Sequence, residues 1–308
     1  MGFMKLSSLG ERGIIDEIWR ILDRNIEYDD CAIIEGEEYT LITTDFIGEG
    51  THFMDDWEYF IIGKFFASIN LSDIAAMGGK PEFFLASMFF PQDFELEKLG
   101  QLIKGMEKQL RKYEVKYLGG DMKEAKIAGM SGIAVGKVEK DKILRRKGAK
   151  MGEGIYLTGE LGKQAAGYYL WKNGYEEGWK YLLEVEPRIK EGRKLAGKAS
   201  SCMDLSDGLL HTLQQMEKTN NLGFRVDFDT LPIHPLAYEV SEDFHIPLEL
   251  LALSFGGEYE LLFTSTSHIL GKEIGVVEKN GGIWRNGKKI GGEGYAHFSK
   301  ALDKIRGQ

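Results

Sequence analysis

The sequence predicts two successive α+β halves, and three observations carry that reading. Helical and strand-like patterns are mixed along the chain without a strict strand–helix–strand rhythm. A polar, glycine-bearing stretch, DKILRRKGAKMGEG at 141–154, separates two runs of such patterns. The 308 residues are enough for two domains and more than one core.

The elements follow in order. Ser7 to Arg24 reads as a helix with Ile14, Ile15, Ile18 and Leu22 as its stripe. Tyr39 to Phe46 is rich in strand formers. Trp57 to Met77 has helical spacing and stops at Gly78-Gly79-Lys80-Pro81. Glu82 to Phe90 reads as a buried strand, Phe94 to Tyr113 as a charged amphipathic helix and Val115 to Leu118 as a short strand. Ala128 to Val138 is β-like and glycine-rich. Past the polar stretch come a strand at Ile155 to Thr158 and helices at Gln164 to Trp171 and Arg188 to Lys198. Leu209, Leu210 and Leu213 mark another helix, with Ser206 in position to cap it. Phe224 to Phe228, Tyr259 to Phe263 and Ile274 to Val277 read as strands. The division is placed at 140/141, giving domains 1–140 and 141–308.

Charge excludes one large class. There are 39 Lys+Arg against 48 Asp+Glu, a net charge of -9, so a general nucleic-acid binder is not expected. Arg145, Arg146, Lys147 and Lys150 form only a local basic cluster. Two cysteines, Cys31 and Cys202, rule out a disulfide scaffold or a cysteine-built zinc site and suit a reducing cytoplasm. No apolar run reaches transmembrane length, and MGFMKLSSLGERG lacks the apolar centre of a signal peptide, so a cytoplasmic protein is expected.

The informative residues are acids at element ends. Asp29 and Asp30 precede the apolar CAII, and Asp45 follows the β-rich LITT. Asp73 shares an otherwise apolar helix with Asn70 and Ser72. Asp121 follows two glycines, and Asp204 and Asp207 flank Ser206. Each aspartate alone is accounted for by a cap or a turn. Together they would repel in an apolar interior, and a hard divalent cation such as Mg²⁺ resolves that, using few carboxylates together with phosphate oxygens.

Other signatures are missing. GELGKQ has neither the spacing nor the hydroxyl of a Walker loop, and GEGTHF at 48–53 fails at its last glycine. There is no H-R-D, D-F-G, H-E-x-x-H or G-x-S-x-G. His52, beside the turn Gly48-Glu49-Gly50, is either a structural loop histidine or a substrate contact.

The ordered set SSLGERGIID, YDDCAII, LITTDFIGEGTHF, NLSDIAAMGG, YLGGD, RKGAKMGEGIYLTG, SCMDLSDGLL, FGGEYELLF and GYAHF resembles the thiamine-monophosphate kinase family. That family lies in the aminoimidazole-ribonucleotide synthetase-like superfamily, and the motifs run from about residue 6 to 298. The resemblance implies a two-domain synthetase-like fold, with the N-terminal sheet pairing with that of a second subunit into a dimeric barrel. It implies ATP and Mg²⁺ in the cleft between domains, and direct transfer of the γ-phosphoryl to thiamine monophosphate, giving thiamine diphosphate.

Residue by residue, the resemblance implies Asp30, Asp45, Asp73, Asp204, Asp207 and Thr44 at the metal. Thr43, Gly120, Asp121, Arg146 and Ser206 would meet ATP, and His52, Glu258 and Tyr295 would meet the substrate. Asp207 and Arg146 would be the catalytic pair. Two departures stand out: Tyr28-Asp29-Asp30 replaces Gly-Asp-Asp, and Gly256-Gly257-Glu258-Tyr259-Glu260 lacks one acid of the family's Gly-Gly-Glu-Asp-Tyr-Glu. Two other readings stay open: a superfamily enzyme using a different acceptor, and an ATP-binding dimer without catalysis.

Overall fold

A computed structural model describes residues 10–22 and 29–290, and these residues form two β-sheets with helices packed on them. The first half holds α1 (Gly10–Leu22), β1 (Ala32–Ile34), β2 (Tyr39–Gly48), α2 (Tyr59–Ala76), β3 (Lys80–Phe90), α3 (Leu96–Lys112), β4 (Lys116–Glu124) and β5 (Gly129–Val138). Its five strands run in the order β1-β2-β5-β3-β4. Only β3 and β4 are parallel, the pair joined through α3; the others are antiparallel.

Buried α2 is apolar nearly all round, as a helix enclosed on several sides must be. One side lies on the sheet and another on α3. The approach to α3 is very close: a Cβ at Gly63 would sit 2.0 Å from the Leu102 carbonyl oxygen, and one at Gly105 would sit 1.9 Å from that of Phe60. Strand β4 runs on past the expected Leu118 through Gly119-Gly120-Asp121, because after a register shift between Phe84 and Ala86 it stays paired with β3 as far as Glu124.

The second half holds β6 (Gly154–Leu157), α4 (Lys163–Lys172), α5 (Gly178–Leu183), α6 (Ile189–Leu195), β7 (Ser201–Asp204) and α7 (Leu209–Asn220). It continues with β8 (Gly223–Asp227), α8 (Pro235–Asp243), α9 (Leu248–Leu253), β9 (Leu261–Ser265), β10 (Lys272–Glu278), β11 (Gly282–Arg285) and β12 (Lys288–Ile290). The seven strands run β12-β11-β8-β10-β6-β9-β7. Strand β7 sits at the edge, paired with β9, and its four residues are all buried. Helix α7 starts after Gly208 at φ 87°, which takes the N-cap position without a side-chain hydrogen bond, so Ser206 is not the cap.

The halves meet on α2. A Cβ at Gly192 of α6 would come within 2.1 Å of the Ala75 carbonyl oxygen. At the other end Trp57 stacks on Trp179 at 5.1 Å and meets Trp171 edge-on at 5.2 Å. The face of the first sheet away from α2 carries Phe46, 48% exposed and stacked on Phe89 at 5.9 Å. Among the described residues, no helix is long and apolar enough to cross a membrane.

Candidate functional site

Strand alternation along β2 decides which side chains reach the interior. Thr43 is buried and Asp45 half-buried on the α2 side, while Thr44 and Phe46 face the other way. Thr44 hydrogen-bonds Ser131 at 3.0 Å on that outer face, so its hydroxyl does not join the acids. Thr43 does join them: its hydroxyl donates to Asp73 Oδ2. Asn70 of α2 accepts from the Asp45 backbone N–H at 3.0 Å and anchors itself on the Phe66 carbonyl at 2.9 Å. Gly132 makes this possible, because a Cβ there would lie 2.5 Å from Asn70 Nδ2.

Three of the expected acids converge. Asp30, ahead of β1, Asp73 on α2 and Asp204 at the end of β7 each place a carboxylate oxygen within 4.8 Å of the other two. Ser72 donates to Asp204 Oδ2 at 2.7 Å. Arg146 forks onto Asp30 Oδ1, with Nη2 at 2.6 Å and Nε at 3.1 Å. Asp30 Oδ2 is buried with no hydrogen-bond partner.

Burial pushes all three carboxyls above the usual carboxylate range, and mutual repulsion adds to it for Asp73 and Asp204. Asp204 is raised to about 8, by burial first and by Asp30 next. For Asp30 the Arg146 guanidinium opposes the rise. Burial works against charge on Arg146, but Asp30, with Asp204 and Asp73 behind it, outweighs that and holds the guanidinium firmly protonated. Clustered carboxylates with one orphaned buried oxygen suit a hard cation, which binds oxygen ligands.

Beside the cluster lies a cleft of about 370 Å³ between the halves. Its polar lining includes Asp45, His52, Ser206, Asp207 and the Gly256-Gly257 backbone. Its apolar lining includes Trp57, Trp171, Tyr168 and Phe255. His52 Nδ1 accepts from the Gly48 N–H at 3.1 Å, which fixes the ring at the cleft wall. The aromatic wall was not foreseen. Its residues come from three segments more than eighty positions apart, and each reads alone as core.

Other expected residues fall elsewhere. Glu258 points into a separate cavity of about 460 Å³ lined by Lys64, Lys163, Arg188 and Glu260 among others. It accepts from the Gly162 N–H at 3.2 Å, its other oxygen is buried without a partner, and burial raises it to about 7. Gly257, one residue earlier, lines the first cleft. Gly120 and Asp121 sit on β4, three strand steps from β2, or roughly 14 Å at the usual strand spacing. Asp121 there pairs with Lys123 at 2.9 Å. Tyr28 and Tyr295 lie outside the described residues.

Two sheets of this order, with buried acids gathered at their junction, define a two-domain AIR synthase related protein. Residues 28–138 match the N-terminal domain of the AIR synthase related proteins and residues 150–268 match the C-terminal domain. The chain is 30% identical to the thiamine-monophosphate kinase of Aquifex aeolicus, over 96% of this chain and 100% of that protein. It is 31% identical to the thiamine-monophosphate kinase of Pyrococcus horikoshii, over 91% and 92%. The solved structure of AaThiL complexed with AMPPCP and TMP superposes with a TM-score of 0.89 at 28% identity, covering 96% of this chain and 100% of that one. The chain belongs to the thiamine-monophosphate kinase family.

Proposed function

We propose that the chain transfers the γ-phosphoryl group of ATP to the phosphate of thiamine monophosphate, giving thiamine diphosphate and ADP. Beyond family membership, the observation that carries this reading is the convergence of Asp30, Asp73 and Asp204 at the edge of a cleft with an aromatic wall. The bond from the γ-phosphorus to the ADP oxygen breaks, and a bond to an oxygen of the acceptor phosphate forms. That oxygen is already anionic at neutral pH, so no strong general base is required. The demands are alignment and relief of phosphate–phosphate repulsion.

Asp30, Asp73 and Asp204 would hold Mg²⁺, with Asp45 and Asp207 at the adjoining cleft. Bound there, Mg²⁺ supplies charge neutralisation to the phosphates. The protein's own groups do the rest. Arg146 offers a permanently charged fork suited to phosphate oxygens. Ser206, Asp207 and Gly208 lead into α7, whose N-terminal dipole end favours anionic groups. His52 is pinned at the wall for a substrate contact, and the aromatic rings offer faces to a cationic thiazolium.

The same reading divides the chain at 140/141, the first part serving dimerisation, ATP and cation, the second completing the site. It makes the protein a cytoplasmic homodimer. The exposed Phe46 on the outer face of the first sheet, stacked on Phe89, supports the dimer, since a monomer rarely leaves such a face bare. In such a dimer, Gly120 and Asp121 would meet nucleotide through the assembly rather than within one chain.

The test is a phosphoryl-transfer assay with Mg²⁺-ATP and thiamine monophosphate, quantifying thiamine diphosphate and ADP. Product from the wild type and its loss in Asp207→Asn support the reading. Tight Mg²⁺-dependent ATP binding without product would overturn the acceptor assignment.

A further inference from the structure

A polar row along α7 has a role that no motif assigned. Arg146 Nη1 donates to Gln215 Oε1 at 3.0 Å, and Gln215 Nε2 lies 2.6 Å from His211 Nε2. His211 Nε2 is 3.8 Å from Asp207 Oδ2. His211 and Gln215 are four residues apart on α7, so they share one face of the helix, with Asp207 just ahead of its first turn at the cleft.

Donor chemistry fixes the direction of each bond. A guanidinium has only donors, so Gln215 turns its oxygen to Arg146. Its amide N–H₂ then faces His211, whose Nε2 accepts. Gln215 is thus held at both ends.

The Arg146 backbone is fixed independently. Its N–H donates to Asp29 at 2.8 Å, and its carbonyl accepts from Asn220 Nδ2 at 2.9 Å. Asn220 Oδ1 also accepts from the N–H groups of Gly148 and Ala149, at 2.8 and 3.0 Å. The long side chain needs its own restraint. Among the described residues, two side chains hydrogen-bond the guanidinium, Asp30 and Gln215. Asp30 is also one of the three clustered carboxylates. A carboxylate drawn to a cation holds an arginine less firmly, which leaves Gln215 as the constant partner.

We propose that Gln215, backed by His211, is a positioning residue for phosphoryl transfer, holding the Arg146 guanidinium at the carboxylate cluster while Asp30 engages the cation. The proposal rests on the kinase reading above. It adds to the site a residue that touches neither phosphate nor metal.

Gln215→Leu removes both hydrogen bonds at nearly constant volume. The expected result is a kcat for thiamine diphosphate formation lower by about 10–100-fold, because loss of orientation is felt in the chemical step. KM for thiamine monophosphate and affinity for a non-hydrolysable ATP analogue stay within about threefold. A double mutant with Arg146→Ala is no slower than Arg146→Ala alone, since both changes remove one function.

A readout independent of turnover is the ¹H–¹⁵N resonance of Arg146 Nε, assigned by its disappearance in Arg146→Lys. It shifts or broadens in Gln215→Leu and persists in Gln215→Glu, which keeps an acceptor for Arg146. Wild-type kcat with an unmoved resonance overturns the proposal, as do additive losses in the double mutant. If the wild type makes no thiamine diphosphate, the kinase reading fails. The Arg146 resonance, with and without the ATP analogue, then still decides the role of Gln215. If Gln215→Leu does not fold, Gln215→Asn, one methylene short of both partners, takes its place with the same expected outcomes.

Discussion

Ser72 Oγ donates to Asp204 Oδ2 at 2.7 Å, joining α2 of the first half to β7 of the second across 132 residues of sequence. Both groups are buried, so this bond reports whether the halves are in place. Ser72→Ala leaves the Asp204 carboxyl without that donor. Stability should fall by about 1–3 kcal/mol, the usual effect of an unsatisfied buried acceptor. Urea unfolding without Mg²⁺ measures it; an unchanged midpoint would show that the contact does not tie the halves.

Cation binding should depend steeply on pH. Asp204 has an ordinary value of 3.8 and a folded value of about 8, so in the folded chain it keeps its proton through neutral pH. Between those values the folded state binds more protons than the unfolded state. The contribution of Asp204 to the stability of the cation-free protein is therefore largest at low pH and is lost as pH rises towards about 8. Mg²⁺ must displace the proton, so it should bind more tightly at pH 8.5 than at pH 6. Thermal melts with EDTA and with Mg²⁺ at both values test this. A Mg²⁺-induced rise in Tm that is equal at both would contradict it.

Glu258 gives a second pH signature, distinct in place. Its carboxyl rises from 4.5 to about 7 on folding, so the wild type loses stability as pH climbs through that window. Glu258→Gln removes the penalty. The variant should be more stable than wild type by roughly 3 kcal/mol at pH 8, with no advantage below pH 4.5. Denaturant titrations at the two pH values provide the comparison.

Gly105→Ala should be severe for an apolar methyl. The added carbon would lie 1.9 Å from the Phe60 carbonyl oxygen, so α3 must shift away from α2. A loss of about 3 kcal/mol is expected, the range of overpacked cores. The same change at Gly100, with nothing within 4 Å of the added carbon, is the control.

Phe46→Lys tests the outer face of the first sheet. Phe46 is 48% exposed and stacks on Phe89 at 5.9 Å. If two copies meet there, the lysine should produce monomers in light scattering while leaving the circular dichroism of the fold intact. A wild type that is already monomeric would sink the dimer reading.

Long elements were legible in the sequence because their patterns are local. Trp57–Met77 was read as a helix and α2 spans Tyr59–Ala76; Ala128–Val138 was read as a strand and β5 spans Gly129–Val138. The acids were noticeable because each interrupts an apolar run. What could not be read was facing. Thr43 and Thr44 are neighbours of one type, and only the packing of β2 on α2 sends the first to Asp73 and the second to Ser131. The four-residue β7 is too short for a pattern, so the strand that ends at Asp204 is not expected from the sequence. Glu258 followed its motif into the substrate group. Gly256, Gly257 and Tyr259 all adopt positive φ (84°, 85° and 53°), and the backbone turns the Glu258 carboxyl into the other cavity. Gln215 carries no signal at all, since its partner Arg146 is 69 residues away.

The edge position of β7 bears on how the protein is made. Asp204 is fixed through pairing of β7 with β9, whose residues are 261–265. A nascent chain that has already displayed Asp30 and Asp73 therefore waits on the ribosome until β9 has been made before the third carboxylate is in place. Cation capture then waits on the emergence of β9, and chains cut short before it are born without the third carboxylate in place.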